Sequence, residues 1–305
     1  MNTYVVRVFA MFAKTWRLFL IIALTASAGD YRALYLRLAH EMDVQAPQTK
    51  TLQNWIENSA TNCRTSKASL EQAITCMRHE VYDSLGVSFD STADHLPVDL
   101  LPSHVLYARR GSCVPVTFLV LMLAEQMGIT AQPISLPGHV YVSFPAAGIN
   151  WEPNRQGFRY QDDEYQKKYD LDPGRGRIAH RLSDVEFEGM LRFEAANRLV
   201  TAKRTDEAIL QYTQARTKWR DPRIVGNMAL ALESKGNSKE CLRLLDSLWT
   251  GGVRSEELVW NRALAMLRNH QTALEVQIFL QEAEGRRVES PRLHELAEKL
   301  KQVKE

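Results

Sequence analysis

A chain of 305 residues with 45% hydrophobic content can bury a full core and is long enough for two compact units, which excludes a largely disordered protein. Its 38 Lys and Arg balance 36 Asp and Glu, so no whole-chain field selects nucleic acid or an acidic polymer as partner. The cysteines at 63, 76, 113 and 241 are too few and too scattered for a disulfide scaffold and form no Cys-x-x-Cys pair, which argues against structural zinc; Cys63 and Cys76 are available to pair in an oxidising compartment.

The first 28 residues read as an export signal. Arg7, Lys14 and Arg17 precede an apolar run from Leu18 to Leu24, and Ala26-Ser27-Ala28 offers small residues where a signal peptidase cuts, so cleavage is expected after Ala28 and the mature protein is expected to be exported or periplasmic. The alternative is an uncleaved anchor facing the periplasm, the one route by which this chain would meet a membrane. The apolar run is only about half the ~20 residues that a bilayer span needs.

From Tyr31 to Leu85, Leu34, Leu38, Leu70, Ile74 and Met77 recur at helical spacing and predict a helical lead-in. Residues 86 to 103 loosen into a loop rich in Asp, Ser and Pro, followed by a short helix from about His104 to Arg109. Gly111 and Ser112 then precede an almost continuously apolar helix ending near Gly128, buried nearly all round. The β-branched and aromatic runs around Pro137-Gly138 and Ala147-Gly148 predict antiparallel strands. Residues 161 to 176 are polar and turn-rich and read as a return to the domain edge. From about Ser183 onward the chain is helical, with small residues Ala208, Cys241 and Ala273 recurring about every 33 residues and Tyr212 and Leu245 at the bulky position that follows. That pattern fits either helical repeats or an irregular bundle.

Chemistry concentrates on two residues. A thiolate is the reactive form of cysteine, and a helix N-terminus favours it through unpaired N–H groups and the dipole; Cys113 opens the apolar helix, with Arg109 and Arg110 nearby. His139 follows the turn Leu136-Pro137-Gly138 at a strand mouth, where an imidazole can serve as general base. Its second ring nitrogen needs an acceptor, and Asn150-Trp151-Glu152-Pro153-Asn154 brings Glu152, with Asn154 as the alternative, on the neighbouring strand. The Cys113 N–H is a natural oxyanion donor, and Ser112 or Tyr107 is available as a second. No phosphate loop, His-rich metal set or aromatic-basic array is present, so no cofactor, metal or nucleic acid is expected.

The runs Arg110-Gly111-Ser112-Cys113, Leu136-Pro137-Gly138-His139-Val140-Tyr141-Val142 and Trp151-Glu152-Pro153, with Leu85-Gly86-Val87-Ser88-Phe89 upstream, resemble the transglutaminase-like cysteine superfamily. Within it they are most similar to a bacterial branch with an Arg-Gly-x-Cys helix and a Pro-Gly-His strand. The likeness covers residues 70 to 160 well and extends loosely to a tail resembling tetratricopeptide repeats. It implies an α+β fold: a papain-like core at 29–182, its Cys helix packed on a small antiparallel sheet, then an all-α helical-repeat domain at 183–305. It also implies a Cys113–His139–Glu152 triad, with Glu where the family usually carries Asp, and a binding surface including Arg110, Ser112, Tyr107 and Asn154. The expected activity is acyl transfer at amide bonds of a protein or peptide substrate, as a peptidase, amidase or transamidase. The alternative is an inactive scaffold that docks a protein partner on its repeats.

Overall fold

The computed structural model describes residues 30–64, 69–92, 95–172 and 178–302; the leader and its expected cleavage point lie outside the described residues. Among the described residues no helix is long and apolar enough to cross a membrane.

Helices α1 (Tyr31–Glu41), α2 (Ala46–Cys63) and α3 (Leu70–Arg78) form the lead-in. Their starts follow helix-end chemistry. Asp30 accepts the Ala33 N–H at 2.9 Å, Pro47 sits in the first turn of α2, and Ser69 and Gln72 satisfy each other's backbone N–H groups. A disulfide between Cys63 and Cys76 ties α2 to α3.

The loop after α3 carries β1 (Ser88–Phe89), which pairs in parallel with β2 (Arg110–Gly111) across the short helix α4 (Pro102–Ala108). Arg109 reverses the chain between α4 and β2 in the left-handed region, at φ 57°, and its guanidinium binds the Leu85 carbonyl. This pins the Leu85-Gly86 loop to the start of the next element, the helix α5 (Cys113–Met127). Every residue of α5 from Val114 to Ala124 is buried, and Gly128 ends it in a left-handed cap. α5 packs on α1, α2 and α4 on one side and on the sheet on the other, which accounts for its lack of a polar face.

The sheet comprises β3 (Gln132–Leu136), β4 (His139–Phe144), β5 (Ile149–Glu152), β6 (Phe158–Arg159) and β7 (His180–Arg181), antiparallel in the order β6-β5-β4-β3-β7. A two-residue turn at Pro137-Gly138 joins β3 to β4, with Gly138 at φ +73° and Leu136 opposite His139. Alternation sends Val140, Val142 and Phe144 into the main core with Trp151, while Tyr141 joins Ile134, Leu136 and Tyr165 in a second apolar cluster on the opposite face.

That second face corrects the turn-rich reading of residues 161 to 176, because Asp162–Lys168 is a helix, α6, whose Tyr165 stacks on Tyr141 at 4.0 Å. Its apolar content is confined to tyrosines at a four-residue spacing, Tyr165 and Tyr169, too sparse to register as a hydrophobic stripe. Its three first-turn acids and two last-turn lysines do match the helix dipole.

The remainder is helical, as expected. α7 (Asp184–Thr201) and α8 (Thr205–Lys218), α9 (Pro222–Ser234) and α10 (Ser238–Thr250), and α11 (Glu256–Arg268) and α12 (Ala273–Gly285) form successive pairs, closed by α13 (Pro291–Lys301). Ala208 and Cys241 occupy the fourth position of α8 and α10 and are buried. In α12 that position belongs to Val276, fully buried, while Ala273 is the first helical residue and only partly covered. Longer connections before α11 and before α12 shift the third pair, which displaces the small residue from the register read in the sequence.

The tail is joined to the lead-in by buried contacts. Phe187 of α7 meets Tyr31 and Phe118 edge-on at 5.7 and 5.4 Å. Beside it, Glu188 accepts from Arg37 at 2.8 Å, Arg192 at 2.9 Å and Lys218 at 3.0 Å, and Arg192 also reaches Glu41. Burial alone would raise the Glu188 carboxyl, but hydrogen bonds from Lys218 and Arg192 outweigh it and hold the group below the usual carboxylate range. A depressed folded-state pKa contributes stability that is complete above the unfolded value, about 4.3, and is lost as pH falls through the folded value. Denaturant titrations from pH 7 down to pH 3 should therefore show wild type losing more stability on acidification than Glu188→Gln, which itself should cost about 3 kcal/mol at pH 7 by leaving the buried Arg192 short of a partner. Equal acid slopes would contradict the assignment.

Candidate active site

Cys113 is the first residue of α5, after Ser112 as the helix-capping position. Helix geometry leaves the first backbone N–H groups of α5 without an intrahelical partner, and Pro115, tolerated in this first turn, brings no N–H of its own. Gly111 allows the close approach behind this turn: a Cβ there would meet Pro115 and Val105 at 3.2 Å. The half-buried Cys113 thiol is thus mounted on a helix buried from Val114 to Ala124 and lines a cleft of ≈ 310 Å³.

His139 lines the same cleft. Its ring is almost fully buried, and Nε2 lies 2.9 Å from Glu152 Oε2. Glu152 has no solvent exposure, and its other oxygen accepts the Asn154 N–H at 2.9 Å. Both oxygens of a fully buried carboxylate are therefore hydrogen-bonded, the condition under which such a charge is tolerated. An acceptor on Nε2 places a proton there and leaves Nδ1 as the basic nitrogen.

The register explains how Glu152, one methylene longer than an aspartate, reaches His139. β4 and β5 pair Val142 with Trp151, so continuing the ladder sets Glu152 opposite Tyr141, diagonal to His139 on the same face. The additional methylene spans that diagonal. Asn154, the other acceptor considered, approaches the opposite ring nitrogen, its Nδ2 lying 3.5 Å from Nδ1.

Tyrosines enclose this pair. Tyr169 stacks on the His139 imidazole with centroids 5.0 Å apart and planes 2° from parallel. Burial first, then the charge of Glu152, pushes the Tyr165 and Tyr169 hydroxyls well above their ordinary range, with Cys113 contributing at Tyr169; burial, Asp162 and Glu152 push Tyr141 up to about 12. All three stay neutral at physiological pH and surround Glu152 with a low-dielectric shell. Sequence reasoning missed Tyr169, for which the only signal was its four-residue spacing from Tyr165.

Of the other residues expected at the site, Ser112 and Asn154 line the cleft. Tyr107 and Arg110 do not. Tyr107 is 82% exposed on the outer side of α4, and Arg110 points outward to pair with Asp90 at 3.3 Å. The left-handed turn at Arg109 rotates both away from the helix start, so of the two side chains considered as second oxyanion donors only Ser112 is at the cleft. Arg109 itself is engaged with Leu85. The cleft has a further wall that sequence spacing could not reveal: Met190, Glu194, Arg198, Trp219 and Arg223 from the helical tail.

A family model described as the transglutaminase-like superfamily matches residues 33–187, about half of the chain, from α1 into the first helix of the tail. The chain belongs to that superfamily. No curated protein matches it.

Replacing Glu152 by Gln leaves either the His139 or the Asn154 N–H facing an amide donor inside the core. The variant should lose about 1–3 kcal/mol of stability in guanidinium denaturation. A midpoint indistinguishable from wild type would mean that the buried carboxylate is not a structural acceptor for both groups.

Proposed function

We propose that this protein is a cysteine-dependent acyl transferase or hydrolase acting on amide bonds, with Cys113 as nucleophile, His139 as general base and acid, and Glu152 as the group that orients His139. The observation that carries this reading is the buried 2.9 Å contact between His139 Nε2 and Glu152 in a cleft shared with Cys113 at a helix start. A histidine that serves packing alone does not need a fully buried carboxylate on its ring in a cleft it shares with a thiol.

In the first step Cys113 Sγ attacks the amide carbonyl as its proton passes to His139 Nδ1, and the Sγ–C bond forms. The imidazolium is stabilised by Glu152 and by the face of Tyr169, since an aromatic face attracts a cation. The oxyanion is met by the Cys113 N–H and the positive end of α5. Collapse breaks the C–N bond, the amine leaves with the proton held by His139, and a thioester remains. Water then releases a carboxylic acid, as in a peptidase or amidase, or an amine forms a new amide, as in a transamidase.

The finer assignment follows the same motifs: the bacterial branch with Arg-Gly-x-Cys and Pro-Gly-His runs, a papain-like core, and tetratricopeptide-like helix pairs behind it. The Cys63–Cys76 disulfide and the charged-then-apolar leader support an exported, periplasmic protein, because such bonds persist in oxidising compartments.

Alkylation by iodoacetamide, followed by intact mass and peptide mapping, tests the reading. Cys113 should be labelled at pH 6–7 at least about tenfold faster than a free thiol of pKa about 8.5, while Cys241, pushed by burial up to about 12, stays unmodified in the folded protein. His139→Ala should slow Cys113 labelling at neutral pH about 10²-fold. A Cys113 no more reactive than a free thiol across pH 5 to 9 sinks the proposal. Incubation with a peptide amide and a fluorescent amine then separates hydrolysis from transamidation by whether label enters the product.

A further inference from the structure

The second wall of the cleft comes from the tail. Met190, Glu194 and Arg198 recur at four-residue spacing along α7 and so form one stripe, and Trp219 and Arg223 come from the corner where α8 passes into α9. This corner is held against α7 without slack. A Cβ on Gly189 would meet the Trp219 Cβ at 2.6 Å and its backbone N at 3.0 Å. The wall is therefore a fixed part of the cleft.

It carries two guanidinium groups, one of them over an aromatic surface. The Arg223 guanidinium lies 5.3 Å from the Trp219 ring centroid and 5.7 Å from that of Phe193. Asp221 holds its Nε and Nη2 at 2.9 and 2.7 Å, so the fork is oriented, and no described residue takes a hydrogen bond from Nη1. Asp221 does not line the cleft, and it also accepts the Arg223 N–H at the start of α9. Arg198 is fixed by Glu194 at 2.6 Å. The charged side chains lining the tail wall are two guanidinium groups and one carboxylate. Pre-oriented arginines on an aromatic surface are suited to a planar carboxylate.

Resting on the acyl-transfer reading above, we propose that Arg223, assisted by Arg198, is a specificity-determining anchor for a substrate carboxylate, so that the acyl donor is a short peptide or amino-acid amide with a free carboxylate near the scissile bond. The cleft volume, ≈ 310 Å³, is at the small end of ligand sites, about 300–1,000 Å³, and suits one or two residues of such a donor. The helical tail on this reading is part of the substrate site.

Two isosteric reagents test this in the full chain: N-iodoacetyl-glutamate and the neutral N-iodoacetyl-glutamine amide, each rate at Cys113 normalised to the same reagent on free N-acetylcysteine amide. The anionic reagent should be preferred about tenfold, the scale of one charge-assisted contact. The preference should fall in Arg223→Gln, fall less in Arg198→Gln and vanish in the double variant. In unmutated protein it should collapse when salt is raised from about 0.05 to about 0.5 M, a readout independent of how the variants fold. Equal rates for the two reagents, or a preference that survives both substitutions or high salt, overturns the anchor. If both reagents label Cys113 no faster than the free thiol while the arginine-dependent preference persists, the nucleophile reading fails and the anion subsite stands.

Discussion

A carboxylate removed entirely from water is stable only if its neighbours replace the hydration it has lost, and Glu152 is such a group. Its two oxygens are taken by the His139 ring and the Asn154 backbone N–H. This one arrangement closes the end of β5, fixes the short turn that follows, and sets the plane and tautomer of the imidazole. The aromatic residues of the second cluster exist in this context to exclude water. They lie on the face of the sheet away from α5, where an antiparallel sheet of this size is otherwise free to be polar. Tyr141, Tyr165 and Tyr169 cover it, held by a helix of seven residues.

The other half of the site depends on the opposite face. α5 is covered by sheet and lead-in helices alike, so the position of Cys113 is set by the packing of an entire helix and not by a loop. Interiors packed at crystal-like density are barely compressible, so a thiol carried on such a helix keeps its distance from a strand packed against it. The disulfide and the Arg109–Leu85 contact then restrain the two segments that lead into that helix start.

Much of this was legible in the chain. Cys113 and His139 were readable because the features that surround them are local: Gly111 and Ser112 before an apolar run, Pro137-Gly138 before a β-branched one. Each feature reflects a backbone requirement met by a few consecutive residues. Glu152 was legible as one of two candidate acceptors for His139, and the choice between them depends on strand register, which the hairpin and the sheet settle together. Tyr107 and Arg110 were misplaced for the converse reason: nearness in sequence to Cys113 suggested nearness in space, and a single left-handed residue between α4 and β2 turned them outward. Tyr169 and the second wall were not legible, since α6 carries too few apolar residues to show a period and the wall comes from helices 77 or more positions beyond Cys113 in the chain, at Met190 and after.

By itself the sequence determined the elements and the chemistry available to them: a nearly all-apolar helix that had to be buried, two tight turns that had to bound strands, a helical tail with a spacing near 33 residues, and one thiol and one imidazole at element starts. Those follow from side-chain volume, periodicity and backbone freedom over short stretches. Tertiary structure decided which of the two candidate acceptors takes the imidazole, which aromatic stacks on it, and that the tail contributes a charged wall to the cleft. Each of these depends on contacts between segments far apart in the chain, whose relative placement is fixed only when the sheet register, the buried helix and the Glu188 ion cluster are satisfied at once.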